Sequence, residues 1–118
     1  AGLEEVAVLM NTQAVLISNP HTAYPELVEK VRRRLAGYQT AQKYVMCTYN
    51  VHRNNLEAAS KVTPGKRSPS VMPLETDGWC AVSALVEKGK VASVMDELER
   101  IGATDILTTG LLSSRMGD

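Results

Sequence analysis

The chain has 118 residues, a 44% hydrophobic share, and thirteen Asp and Glu against thirteen Lys and Arg, for a formal net charge of zero. Balanced charge argues against a general nucleic-acid or membrane-surface binder, which would carry a basic excess, and no apolar run approaches the ~20 residues that span a bilayer. The length suits one ordinary domain, or one small domain with an extra segment attached. Phe is absent and there is a single Trp, so the core must be assembled from Val, Leu, Ile, Ala and Met. Glu4 and Glu5 stand where a secretory signal would place a basic cap before an apolar run, so no signal peptide and a cytoplasmic location are expected.

Residues 5–18 hold two short apolar runs broken by Asn11-Thr12-Gln13. They read as one or two strands, ended by Asn19-Pro20. Thr22 can cap a helix and Pro25 suits its first turn. Leu27, Val31, Leu35, Tyr38 and Gln42 then recur at helical spacing, Val28 widens the stripe, and Lys30 and Arg32 to Arg34 lie mainly on other faces. A helix is expected from about Pro25 to Gln42. Tyr44 to Val51 reads as a strand with almost no polar interruption. Asn54 with Glu57 resembles a capping box opening a short helix to about Val62.

From Lys61 to Trp79 the chain packs three prolines, two glycines, four hydroxyls and three cations. This stretch is too punctuated for a helix, although Ser70 to Leu74 can form a strand. Residues 79–87 are a strong strand. Val91, Val94, Met95, Leu98 and Ile101 make an amphipathic helix, which Gly102 stops. Asp105 to Leu112 is the last strand. From Lys43 the order is strand, helix, strand, strand, helix, strand. That order predicts an α+β fold of the ferredoxin-like type, a βαββαβ unit whose four-stranded antiparallel sheet carries both helices on one face. Residues 43–118 form this unit, and residues 1–42 do not fit into it.

Several chemistries fail on spacing. Gly65-Lys66 lacks the Gly five positions earlier and the Ser or Thr after Lys that a phosphate loop needs; Ser60 and Arg67 stand there. Asp96, Glu97 and Glu99 fall on a solvated helix face, and His21 and His52 in turns. RNA-recognition modules of this fold stack bases on strand aromatics, whereas the central strands here offer Cys47, Tyr49, Val82 and Ala84. Cys47 and Cys80 read as buried reduced thiols without metal-ligand neighbours. The punctuated loop can be a mere turn. It can equally bind an amino acid, with the Ser68 and Ser70 hydroxyls and nearby N–H groups taking the carboxylate. Asn50 and Asp105 would then accept from the amine, and Leu85 would line the wall.

Short stretches in a fixed order carry a more specific resemblance: Gln13-Ala-Val-Leu-Ile-Ser-Asn-Pro20, Pro25-Glu-Leu-Val-Glu29, Gln42-Lys-Tyr-Val-Met46, Tyr49-Asn-Val51, Val62-Thr-Pro-Gly65, Ser68-Pro-Ser70, Gly78-Trp79 and Ile101-Gly-Ala-Thr-Asp-Ile-Leu107. In these the chain resembles the carboxy-terminal part of the long-form ATP phosphoribosyltransferase family. The resemblance implies a hexameric, cytoplasmic, magnesium-dependent glycosyltransferase that joins ATP to phosphoribosyl pyrophosphate in the first step of L-histidine biosynthesis. It implies a ferredoxin-like tail that binds L-histidine as a feedback inhibitor at an interface between subunits, with contacts falling on Asn50, Lys66, Ser68, Ser70, Leu85 and Asp105. Some members carry Asp at the position of Asn50 and many a Thr at Ser70. The loop that cradles phosphoribosyl pyrophosphate is not in this sequence, and residues 1–42 resemble only the last strand and connecting helix of the catalytic part. The chain by itself is therefore expected to need no cofactor and to lack transferase activity. A purely structural oligomerisation module and a free-standing nitrogen-regulatory type of signalling protein are the rival readings.

Overall fold

A computed structural model describes residues 2–116. Helix α1 spans Pro25–Ala41, with Pro25 in the first turn, where a missing N–H costs nothing. Thr22 does not cap it; Tyr24 occupies the cap position, and the Thr22 Oγ1 accepts from the Tyr24 N–H at 3.1 Å, one step short of the helix. Strand β1 (Tyr44–His52) leads through a 3-10 turn (Arg53–Asn55) into α2 (Leu56–Val62). Then come β2 (Ser70–Pro73), β3 (Trp79–Glu87), α3 (Val91–Ile101) and β4 (Thr104–Gly110). The strands form one antiparallel sheet in the order β2-β3-β1-β4. This is the ferredoxin-like arrangement that the element order implies.

Both central strands alternate strictly. Val45, Cys47, Tyr49 and Val51 of β1 and Cys80, Val82, Ala84 and Val86 of β3 are buried. Ala59 of α2 and Leu98 of α3 close the core over that face, so both helices lie on one side of the sheet. Cys47, Tyr49, Val82 and Ala84 thus face helices, not solvent. The open face instead presents Met46, Thr48 and Asn50 beside Ala81, Ser83 and Leu85. Burial pushes the Cys47 thiol up, which keeps it protonated, and neither cysteine is in a disulfide.

Three local expectations are corrected. Residues 5–18 form no strand, since no other described segment offers them a ladder of hydrogen bonds. Asn54 and Glu57 make no capping box; the His52 Nδ1 accepts the Asn54 N–H at 3.2 Å, which turns the chain into a 3-10 turn first. His52 itself ends β1 and packs edge-on against Trp79 at 5.7 Å. The last strand closes at Gly110, opposite Val45, one residue from the start of β1, so the ladder ends two residues short of Leu112. Gly102 does stop α3: its φ is +96°, and the Ala103 N–H to Leu98 C=O and Gly102 N–H to Glu99 C=O bonds close a Schellman motif.

Candidate functional site

The loop between α2 and β2 is held at both ends. At its root, Thr63 is 1% exposed and its Oγ1 lies 2.7 Å from the Tyr49 hydroxyl and 3.2 Å from the Ala59 carbonyl. Pro64 cannot continue the helix, and it keeps Thr63 out of the helical region, here at φ −122° and ψ 70°. Gly65 takes φ +64°, and an added Cβ would lie 3.3 Å from the Ser68 carbonyl, so the chain folds back on itself there. At the far end Ser70 pairs with Ser83 of β3.

Between these anchors the loop lays Lys66, Ser68 and Ser70 along an open groove of about 300 Å³, whose floor includes Leu85, Ser83 and Met46. Four of the six sequence-predicted residues, Lys66, Ser68, Ser70 and Leu85, therefore share one site. Its chemistry is three hydroxyls, with Ser83, and an ammonium beside the apolar Leu85 and Met46, which suits a carboxylate attached to a small organic body. Arg67 lies at the same groove.

Asn50 and Asp105 lie elsewhere. Strand β4 carries an extra residue against β1: Thr48 pairs with Leu107 but Asn50 with Thr104, so Asp105 and Ile106 together oppose Tyr49. In this bulge Asp105 takes φ +53°, a left-handed conformation that Asp tolerates better than most residues. The bulge aims the carboxylate at its neighbours, and the Asp105 Oδ2 accepts from the Asn50 amide and the Thr104 hydroxyl, each at 3.1 Å. Asn50 is a donor to Asp105 here, where an acceptor was expected. Asn50 stands four residues along β1 from Met46, roughly 13 Å at the usual strand rise. The Asn50–Asp105 pair is therefore a second polar patch, outside the lining of the groove.

Sequence reasoning missed Met46, Ser83 and Gly65. Strand alternation puts Met46 and Ser83 on the open face once the register is known, and Pro64-Gly65 was a turn signal in plain view. A wider groove of about 510 Å³ runs along α1 beside Arg115. There Glu29 binds Arg32 at 2.6 Å and Arg33 at 3.0 Å, so the helix consumes much of its own charge. Among the described residues no three His, Cys, Asp or Glu side chains converge on one point as metal ligands. No helix among those residues is long and apolar enough to cross a membrane.

The family described as HisG, C-terminal domain, matches residues 41–112. The chain is 45% identical over 116 residues to an ATP phosphoribosyltransferase of Yarrowia lipolytica, an alignment covering 98% of this chain and 39% of that protein. It is 41% identical over 121 residues to one from Debaryomyces hansenii, covering 98% and 40%. With one from the bacterium Salinibacter ruber it shares 39% over 118 residues, covering 98% and 42%. The chain spans about two fifths of the length of the curated relatives it matches.

Proposed function

The chain belongs to the HisG C-terminal domain family, the C-terminal region of ATP phosphoribosyltransferase, and from that premise we propose that it is the inhibitor-sensing part of the enzyme. The complete enzyme would condense ATP with phosphoribosyl pyrophosphate, with magnesium, in the first step of L-histidine biosynthesis. This part would bind L-histidine for feedback inhibition and help to assemble a cytoplasmic hexamer. The catalytic lobes would lie in the stretch of the relatives that this chain does not match.

One observation carries the reading. The carboxylate-binding chemistry of Lys66, Ser68 and Ser70 and the amine-binding chemistry of Asp105 and Asn50 occupy separate patches of one open sheet face. An amino acid needs both poles. Two copies packed through this face would supply one pole each, so occupancy would be tied to assembly. A second reading, an assembly module without a ligand, draws on the exposed apolar stripe of α1, where Leu27, Val31, Leu35 and Tyr38 are each about half exposed or more.

Calorimetric titration of the assembled chain with L-histidine separates the two. Saturable heat is expected, and Ser68→Ala should weaken binding by about 0.5–1.5 kcal/mol, one neutral hydrogen bond. Asp105→Asn should cost more, about 1.5–3 kcal/mol, because the lost partner is charged. No heat at millimolar L-histidine would leave the assembly module standing. The chain alone, given both substrates, should form no phosphoribosyl-ATP above a no-protein control.

A further inference from the structure

We infer that Tyr49 and Thr63 are positioning residues for the groove: a buried hydroxyl chain that fixes where the Lys66–Ser70 loop begins. Neither side chain lines the groove, and neither is among the six residues expected to contact the ligand. Tyr49 is 2% exposed and sits on the helix-facing side of β1. A phenylalanine would fill most of the same volume without bringing a polar atom into the core, where a hydroxyl is costly unless bonded. The phenol oxygen is bonded to the Thr63 Oγ1, at 2.7 Å.

The direction of that bond is set by its neighbour. The Thr63 hydroxyl donates to the Ala59 carbonyl at 3.2 Å, and it has a single proton. Tyr49 therefore donates and Thr63 accepts. Burial pushes the phenol's pKa up, so it remains a donor through the neutral range. The Thr63 N–H also goes to the Ala59 carbonyl, at 3.1 Å, so the last turn of α2 and the centre of the sheet grip residue 63 together.

The segment after residue 63 is short and stiff. Pro64 fixes its own φ, Gly65 makes the left-handed reversal, and by Ser70 the chain is in register against β3. With both ends set, the positions of Lys66 and Ser68 over Leu85 are set with them. If the phenol lets go, the proximal anchor is reduced to one helical turn of α2. The inference deepens the inhibitor-binding reading and rests on it only for the ligand.

Native-state trypsin cleavage of the 118-residue chain reads the loop directly, because Lys66 and Arg67 lie within it and mass spectrometry reports each cut. The variants are Tyr49→Phe, Thr63→Val, Thr63→Ser and the Tyr49→Phe, Thr63→Val double. Cutting after Lys66 and Arg67 should be about three to ten times faster in the first two, reflecting the larger open fraction of the loop, with cutting after Lys90 and Arg100 unchanged. Thr63→Ser should cut at the wild-type rate, and the double no faster than the faster single. The L-histidine dissociation constant should rise much less in Tyr49→Phe and Thr63→Val, because affinity follows the closed fraction of the loop, which stays near one while the open state is a minority. Unchanged loop cleavage in Tyr49→Phe and Thr63→Val, or acceleration at all sites alike, would overturn the inference and leave an ordinary core hydrogen bond. Loop-selective cutting without L-histidine binding to the wild type would uphold the positioning and refute the inhibitor reading.

Discussion

Two helices of this chain have the same sequence signature and opposite fates. In α3 the stripe Val91, Val94, Leu98 and Ile101 packs under the sheet, and Leu98 is fully buried. In α1 the stripe Leu27, Val31, Leu35 and Tyr38 stays 45–59% exposed, and the only buried residues are Gly37 and Ala41 at its C-terminal end. Apolar periodicity therefore says that a segment can be a helix with something to bury. It does not say what covers the stripe. For α3 the cover is the sheet and α2 of the same unit; for α1 it is not among the described residues.

The sharpest way to break the comparison is to shorten one leucine in each helix. Leu98→Ala should destabilise the chain by about 2–5 kcal/mol, the range for a fully enclosed leucine. Leu35→Ala should stay within about 0.5–1 kcal/mol. Urea unfolding of both variants decides it, and a Leu35→Ala loss as large as that of Leu98→Ala would mean that the α1 stripe is covered in solution. The next effect lies at the end of α3. Gly102→Ala places a Cβ in the left-handed region and should cost about 1–2 kcal/mol in the same unfolding experiment. Gly37 of α1 differs, having no positive φ. There an added Cβ would meet the Ser114 carbonyl oxygen and the Arg115 Nη1, so Gly37→Ala should lift the segment from Ser114 off the helix. That segment carries little of the core, so the stability change should be under about 1 kcal/mol. The readable outcome is faster tryptic cutting after Arg115, which should not occur if the contact is absent in solution.

The same contrast explains what was legible in the sequence. The βαββαβ unit could be read because β1, β3 and α3 repeat at periods that their own partners enforce, and Gly102 marks its stop chemically. Residues 5–18 have strand composition but no partner strand among the described residues, so composition misled. The capping box failed because His52 supplied the acceptor from the preceding strand, a competitor that no local pattern shows. In the site, the hydroxyl-rich loop was visible as a cluster of turn residues. That Asn50 and Asp105 stand apart from it was not, because the separation depends on the β1–β3 register and on a one-residue bulge in β4. Nor was the Tyr49 bond legible, since its partner Thr63 lies fourteen positions away in sequence.

The smallest expected effect tests whether α1 depends on its own charges where α3 depends on packing. Both helices carry an acid three residues before an arginine: Glu29 with Arg32, and Glu97 with Arg100. The Arg32 hydrogen bond, joined by Arg33, lowers the Glu29 carboxyl to about 2, and the Arg100 hydrogen bond lowers Glu97 as well. A carboxyl depressed in the folded state contributes stability above its unfolded value, near 4.5, and loses that contribution as pH falls toward about 2. For α3 the loss is masked, because Leu98 and its neighbours hold the helix whatever Glu97 does. For α1 there is little packing to mask it. Carboxyl titration by NMR should give Glu29 a midpoint near 2, returned toward the ordinary carboxylate range by Arg32→Gln. The α1 amides should begin to exchange faster between pH 4.5 and 2, while those of α3 hold until the sheet itself opens. Because both partners are exposed, added salt should shrink the difference. A Glu29 midpoint near 4.5 in the wild type, or α1 and α3 loosening together, would show that the two helices are held by the same forces after all.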